Sequence, residues 1–207
     1  MQTLTGDPNK VNSGFENPPS NPLLLLKQWL DKAEEIGIRE PKGFVLSTVD
    51  KLGKPSSRVV LLKSYDKHGI IFGTSKHSTK ALDLNHNAFA AGNLWWRETL
   101  QQISFQGKVE PMRRLIAKEI FSQRSREAQA VAVMSRQSQL MDNEKALREK
   151  IRNLIHSDKA IACPDSWSAY YFKIEKIEFW LGNKSRFHQR LQYTLEDNAW
   201  GHAKLQP

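Results

Sequence analysis

Residues 174–193, IEKIEFWLGNKSRFHQRLQY, leave a chain few ways to fold. Ile174, Ile177 and Phe179 form an apolar, β-prone run, and Gly182-Asn183 follows as a pair able to take positive φ and reverse the chain. The stretch reads as two antiparallel strands joined by a tight polar turn. Arg186, His188 and Arg190 recur at period two, which on an extended backbone points all three to one face as an anion-reading surface. Trp180, just before the turn, reads equally as a cover for a planar ligand or as core.

The same signature recurs upstream. From Gly43 the pattern is extended: GFVLSTVD, a Lys-Leu-Gly-Lys turn, SSRVVLLKSYD, a Lys-His-Gly turn and GIIFGTS, which predicts a three-stranded meander. Arg58 and Lys63 bracket VVLL on opposite faces of a regular strand, so both meet one ligand only where a bulge or strand end re-aims one of them. Residues 88–110 predict another hairpin reversing at Arg97-Glu98-Thr99, with Gln102 near the start of its second strand. Further strands are expected at 168–181, 187–194 and 199–205, about seven in all. Helices are expected from Pro22 to near Gly37, capped by Asn21, and after Ser78 over TKALDLNHN, where Lys80 at the helix start is a candidate phosphate seat. Three more are expected, from Pro111 to Gln123, Glu127 to Met134 and Asp142 to His156, with Gln137 and Ser138 between the last two. With no βαβ alternation, the expected class is mainly β with added helices, a Greek-key or meander antiparallel barrel over residues 21–207. Residues 1–20, rich in Pro, Asn and Ser, are expected to form a mobile N-terminal segment.

A net charge of +9 asks what anion the protein meets. Lys and Arg are spread along the chain with acids interleaved, so no nucleic-acid stripe is evident. One cysteine, Cys163, excludes an intrachain disulfide, and no run is long enough to span a bilayer or to lead export, so the expected location is cytoplasmic with no membrane partner. No HExxH or CxxC spacing points to a metal, and no GxGxxG or Walker loop is present. If a nucleotide-like cofactor binds, side chains must grip its phosphate.

RVVLLK at 58–63, TSKHSTK at 74–80, the Gln102 strand, SRQS at 135–138, EFWLG at 178–182 and SRFHQRLQY at 185–193, in that order, resemble the pyridoxamine 5′-phosphate oxidase family of flavin enzymes. WLDKAEEIGIREPK, WWRETLQQI and the ending LQP are similar to its phenazine-biosynthesis branch. The resemblance implies a split β-barrel and a homodimer with FMN in clefts shared between subunits. It implies that Arg58, Val59, Leu61, Lys63, Gly73, Thr74, Lys80, Gln102, Gln137, Ser138, Trp180 and Arg190 hold FMN, with Arg58 and Lys80 on its phosphate. On the substrate side it implies Lys63, Arg124, Arg186 and His188, of which Arg186 and His188 act at the reacting ring.

Ile120 and Ala128 stand where the vitamin B6 oxidases of the family place a Tyr and a Ser on the substrate phosphate, and Thr79 where they have a basic residue beside Lys80. Neither Ile120 nor Ala128 offers a side-chain hydrogen bond, and losing two partners of a desolvated phosphate costs roughly 1–3 kcal/mol each. The resemblance therefore implies an FMN-dependent oxidase acting on partly reduced (hexahydro or tetrahydro) phenazine carboxylates, passing electrons to O2 with release of H2O2 and forming dihydrophenazine or phenazine carboxylic acids. The rival expectations are a pyridoxamine or pyridoxine 5′-phosphate oxidase and a non-catalytic flavin-binding module.

Overall fold

A computed structural model describes residues 5–207. Its nine strands form one antiparallel sheet. They are β1 (Gly43–Val49), β2 (Pro55–Leu61), β3 (Ser64–Tyr65), β4 (Gly69–Ser75), β5 (Phe89–Trp96), β6 (Gln101–Pro111), β7 (Trp167–Leu181), β8 (Gln189–Glu196) and β9 (Ala199–Leu205). The strand order is β2-β1-β5-β6-β7-β4-β3, with β8 and β9 branching from β7.

Strand β7 causes the branching. At 15 residues it pairs with β4 over Trp167–Lys173, with β8 over Lys176–Leu181, and with β6 along its other edge. One continuous strand thus serves two partners end to end, and the sheet curls into the expected split barrel. The two ends of the path, β2 and β3, share no ladder, so the sheet is not closed.

Alternation along the strands sorts side chains into two cores. Phe44, Leu46, Phe72, Phe105, Phe172, Phe179 and Tyr193 fill the barrel interior with one face of helix α1 (Pro22–Glu35). The Asn21 side chain accepts from Leu23 N–H at 2.8 Å, and Leu23, Leu26, Leu30 and Ala33 are buried, as the periodicity predicts. On the opposite face of β4 and β7 a second core joins Ile71, Trp167 and Ala169 to Ala117, Ile120 and Phe121 of helix α3 (Arg114–Ser122). Helices α2 (Thr79–His86), α4 (Arg126–Met134) and α5 (Glu144–Ile155) complete the chain.

Four expectations need correction. The three-stranded meander is not formed: β1 pairs β2, but Lys63 N–H bonds Ile71 O at 2.8 Å, the short β3 folds onto β4, and β4 continues to β7. Among the described residues there are nine strands rather than about seven. Pro111 ends β6 instead of opening a helix, and α3 starts at Arg114. The β7–β8 connection is a loop over residues 182–188 in which Arg186, not Gly182 or Asn183, takes positive φ (68°). Gly182 is small for another reason: a Cβ there would lie 2.8 Å from Leu100 and 2.9 Å from the Trp180 ring.

Residues 1–4 of the segment expected to be mobile lie outside the described residues. In the remainder Phe15 is buried and stacks on Trp29 (centroids 5.9 Å apart), Asp7 N–H bonds Glu98 O at 2.9 Å, and Pro19 O accepts from the Tyr193 hydroxyl at 3.0 Å.

Candidate functional site

A cleft of about 280 Å³ opens where the end of β2, the end of β4, the start of α2 and the α3–α4 segment meet. Val59, Leu61, Lys63, Gly73, Thr74, Lys80, Arg124 and Gln137 line it, so eight of the residues singled out from sequence converge from across residues 59–137. Lys63 reaches it because β2 stops at Leu61, the strand end that the spacing of Arg58 and Lys63 required. Ser78 caps α2, its Oγ accepting from Ala81 N–H at 3.4 Å, and this fixes the first turn carrying Lys80. Lys80 Nζ donates to Thr74 Oγ1 at 3.2 Å.

Gln137 and Ser138 dock the α4–α5 connection onto this corner. Gln137 Oε1 accepts from Thr74 Oγ1 at 3.2 Å and Ser75 N–H at 3.4 Å, and Ser138 Oγ accepts from Thr79 N–H at 3.2 Å. Ser138 holds a left-handed backbone (φ 70°), a conformation a non-glycine residue adopts only where surrounding contacts fix it.

The electrostatics are one-sided. Lys80 is 5% exposed, and burial, seconded by the nearby Arg58 charge, pushes its ammonium down to about 8. Burial also lowers Lys63, with Arg124 adding repulsion, and burial lowers Arg124. Among the described residues none of these three has a carboxylate within ion-pair distance, whereas Arg58 lies 3.8 Å from Asp83. Desolvated cations without acids are costly unless an anion joins them. The Arg124 guanidinium sits 4.3 Å over the Trp167 ring, and its Nη2 donates to Ala128 O at 3.3 Å. Ile120 is buried behind the same wall, in the core that contains Trp167.

Arg58 and Ser138 adjoin the cleft without lining it, and the other five sequence candidates are elsewhere. Gln102, Trp180 and Arg190 are direct cross-strand neighbours on β6, β7 and β8. Trp95 on β5 opposes Gln102, and its ring lies 6.1 Å from that of Trp180. Arg190 is bidentate to Glu178, at 2.8 and 3.1 Å, so much of its charge is already answered. Arg186 and His188 lie in the 182–188 loop, so the expectation that Arg186, His188 and Arg190 share one extended face is corrected: only Arg190 is in a strand. The His188 ring lies 4.6 Å from that of Trp180, and its Nδ1 accepts from Asn183 N–H at 3.0 Å, which puts the proton of the neutral imidazole on Nε2. None of the five lines the cleft.

Sequence reasoning missed Thr48, Ser56, Asp83 and Trp167. Asp83 was legible at three positions beyond Lys80 on a predicted helix, and Thr48 faces Ser56 across the β1–β2 hairpin. Trp167 carried no local signal.

The match to known proteins runs the length of the chain. Residues 30–157 match the family model described as pyridoxamine 5′-phosphate oxidase, and residues 167–207 that described as pyridoxine 5′-phosphate oxidase C-terminal dimerisation region. Dihydrophenazinedicarboxylate synthase of Pseudomonas chlororaphis is 33% identical over 206 residues, covering 100% of this chain and 93% of that protein. A pyridoxine/pyridoxamine 5′-phosphate oxidase of Mannheimia succiniciproducens is 37% identical over 188 residues, 90% of this chain and 89% of that protein. The crystal structure of PhzG from Burkholderia lata 383 in complex with tetrahydrophenazine-1-carboxylic acid superposes with a TM-score of 0.92 at 34% identity, covering 95% of this chain and 98% of that one.

Proposed function

The chain belongs to the pyridoxamine 5′-phosphate oxidase family, and from that premise we propose that it is a homodimeric FMN-dependent oxidase of phenazine biosynthesis. The observation that carries this reading is the cleft itself, three desolvated cations with no carboxylate in ion-pair distance among the described residues, beside an exposed apolar strip, Val59 and Leu61. A flavin phosphate answers the cations at Lys80 and Arg58, while Val59 and Leu61 offer surface for a planar ring. The residues present fit the cofactor.

Bound FMN would supply the two-electron chemistry: the partly reduced phenazine carboxylate would give up a hydride to it and a proton to solvent, and reoxidation by O2 with one proton from solvent would give H2O2. The protein supplies binding and orientation. Arg124, fixed over Trp167, and Lys63 pair with the substrate carboxylate. Ile120 and Ala128 offer no side-chain hydrogen bond, which suits a fused carbocycle and removes two of the contacts a second phosphate would use. In the dimer, the Gln102, Trp180 and Arg190 row and the loop bearing Arg186 and His188 complete the cleft of the other subunit. There Arg186 offers a guanidinium and His188 an Nε2–H donor that bonds to the substrate ring system and steadies it as hydride leaves.

Mixing the flavin-loaded protein anaerobically with a reduced phenazine precursor tests this directly. Bleaching of the flavin band, with H2O2 formed when air is admitted, is expected. No bleaching overturns the reading, and faster bleaching by pyridoxamine 5′-phosphate replaces it with vitamin B6 oxidation.

A further inference from the structure

Asp83 is buried beside the cleft's cations, and nothing above assigns it a role. Its Oδ2 accepts from Thr48 Oγ1 at 2.6 Å and from Ser56 Oγ at 3.1 Å. The same two hydroxyls accept from Arg58: Nη1 donates to Thr48 Oγ1 at 2.7 Å and Nη2 to Ser56 Oγ at 2.5 Å. Leu46 O takes the second Nη1 proton at 3.3 Å. A hydroxyl has one proton and two lone pairs, and a carboxylate only accepts. Asp83 therefore fixes the proton order of the network: each hydroxyl spends its proton on Asp83 and turns its lone pairs to the guanidinium. Nε–H and one Nη2 proton of Arg58 are left without a hydrogen-bond partner among the described residues.

We propose that Asp83 is a positioning residue for phosphate recognition, acting through Thr48 and Ser56 to hold Arg58 with its remaining donors available to the cofactor phosphate. The inference rests on the flavin reading of the cleft and adds a residue to it. Replacing the carboxylate by a carboxamide leaves a neutral, weaker acceptor where both hydroxyls meet Oδ2, so their protons are held less firmly on residue 83 and their lone pairs less firmly toward Arg58, while the fold keeps its shape. A bare charge effect has the opposite sign, because removing an acid near a phosphate site tightens anion binding.

The test titrates flavin-free protein with FMN and with riboflavin, which lacks the phosphate, following flavin fluorescence, while circular dichroism melts report folding. The parent is expected to prefer FMN strongly. Asp83→Asn is expected to weaken FMN binding about tenfold with riboflavin binding unchanged, and Thr48→Val, which removes one relay hydroxyl, to do the same. In an Arg58→Met background Asp83→Asn is expected to add nothing, since the effect passes through Arg58. An Asp83→Asn protein that binds FMN as tightly as the parent or more tightly overturns the inference, as does an undiminished effect in Arg58→Met. Should Asp83→Asn fail to fold, an unchanged FMN preference in Thr48→Val overturns it. A parent that does not distinguish FMN from riboflavin overturns the phosphate reading of the cleft as well, which separates the two failures.

Discussion

Lys80 concentrates the physics of the site in one side chain. Its ammonium loses its proton near pH 8, mainly because it is buried, and a bound phosphate holds that proton in place. Binding FMN above about pH 8 therefore takes up a proton, and affinity falls as pH rises, by at most about tenfold per unit. Stability of the flavin-free protein runs the other way. Between about 8 and the ordinary value of 10.5 the unfolded chain holds the proton and the folded one does not, so stability rises with pH in that window. Titrations and melts at stepped pH check both slopes, and Lys80→Met should flatten them. A second prediction concerns the substrate wall: Ala128→Ser restores one hydroxyl and should tighten pyridoxamine 5′-phosphate binding by about tenfold, the worth of one hydrogen bond to a charged group, measured as a competitive inhibition constant. The candidate cations were legible because each sits in a local pattern, a capped helix start for Lys80 and a strand end for Lys63. Trp167 was not, because an aromatic at the start of a strand looks the same whether it packs on Phe121 or also carries Arg124.

At the scale of elements, the helical insertion is tied together by one side chain. Arg126 at the start of α4 donates from Nε to Ile155 O at 2.7 Å, and its Nη2 shares two protons among Leu154 O at 3.0 Å, Lys159 O at 3.0 Å and Ser157 O, carbonyls at and just beyond the end of α5. Arg126→Met should expose these carbonyls and destabilise α5 by about 2 kcal/mol, seen as faster amide exchange over residues 144–157. The starts of α1 and α2 were readable in sequence because Asn21 and Ser78 make hydrogen bonds within three residues of themselves, whereas the helix expected from Asp142 is capped by Asn143 and starts at Glu144. The partner of β4 was not, because GIIFGTS has the same apolar character whether it pairs with β2 or β7.

On the whole molecule, Val59, Val45, Trp95, Gln102, Trp180 and Arg190 share one outer face, linked by strand register from β2 to β8. Val59 is 68% exposed and Trp95 43%, an apolar strip of the kind that marks an interface. Trp95→Asp should shift the protein to monomer in sedimentation and weaken FMN binding with it; a dimer that persists with tight FMN binding counts against the shared cleft. By itself the sequence determined the antiparallel class, the presence of the helices and which side chains carry charge, because turns, caps and alternation are set by neighbours a few residues away. Only the tertiary structure decided that Lys63, Lys80 and Arg124 meet without an acid among the described residues while Arg190 is answered by Glu178 and Arg58 is held near Asp83. Charge compensation depends on which distant strands and helices close on one another, and no local periodicity records that.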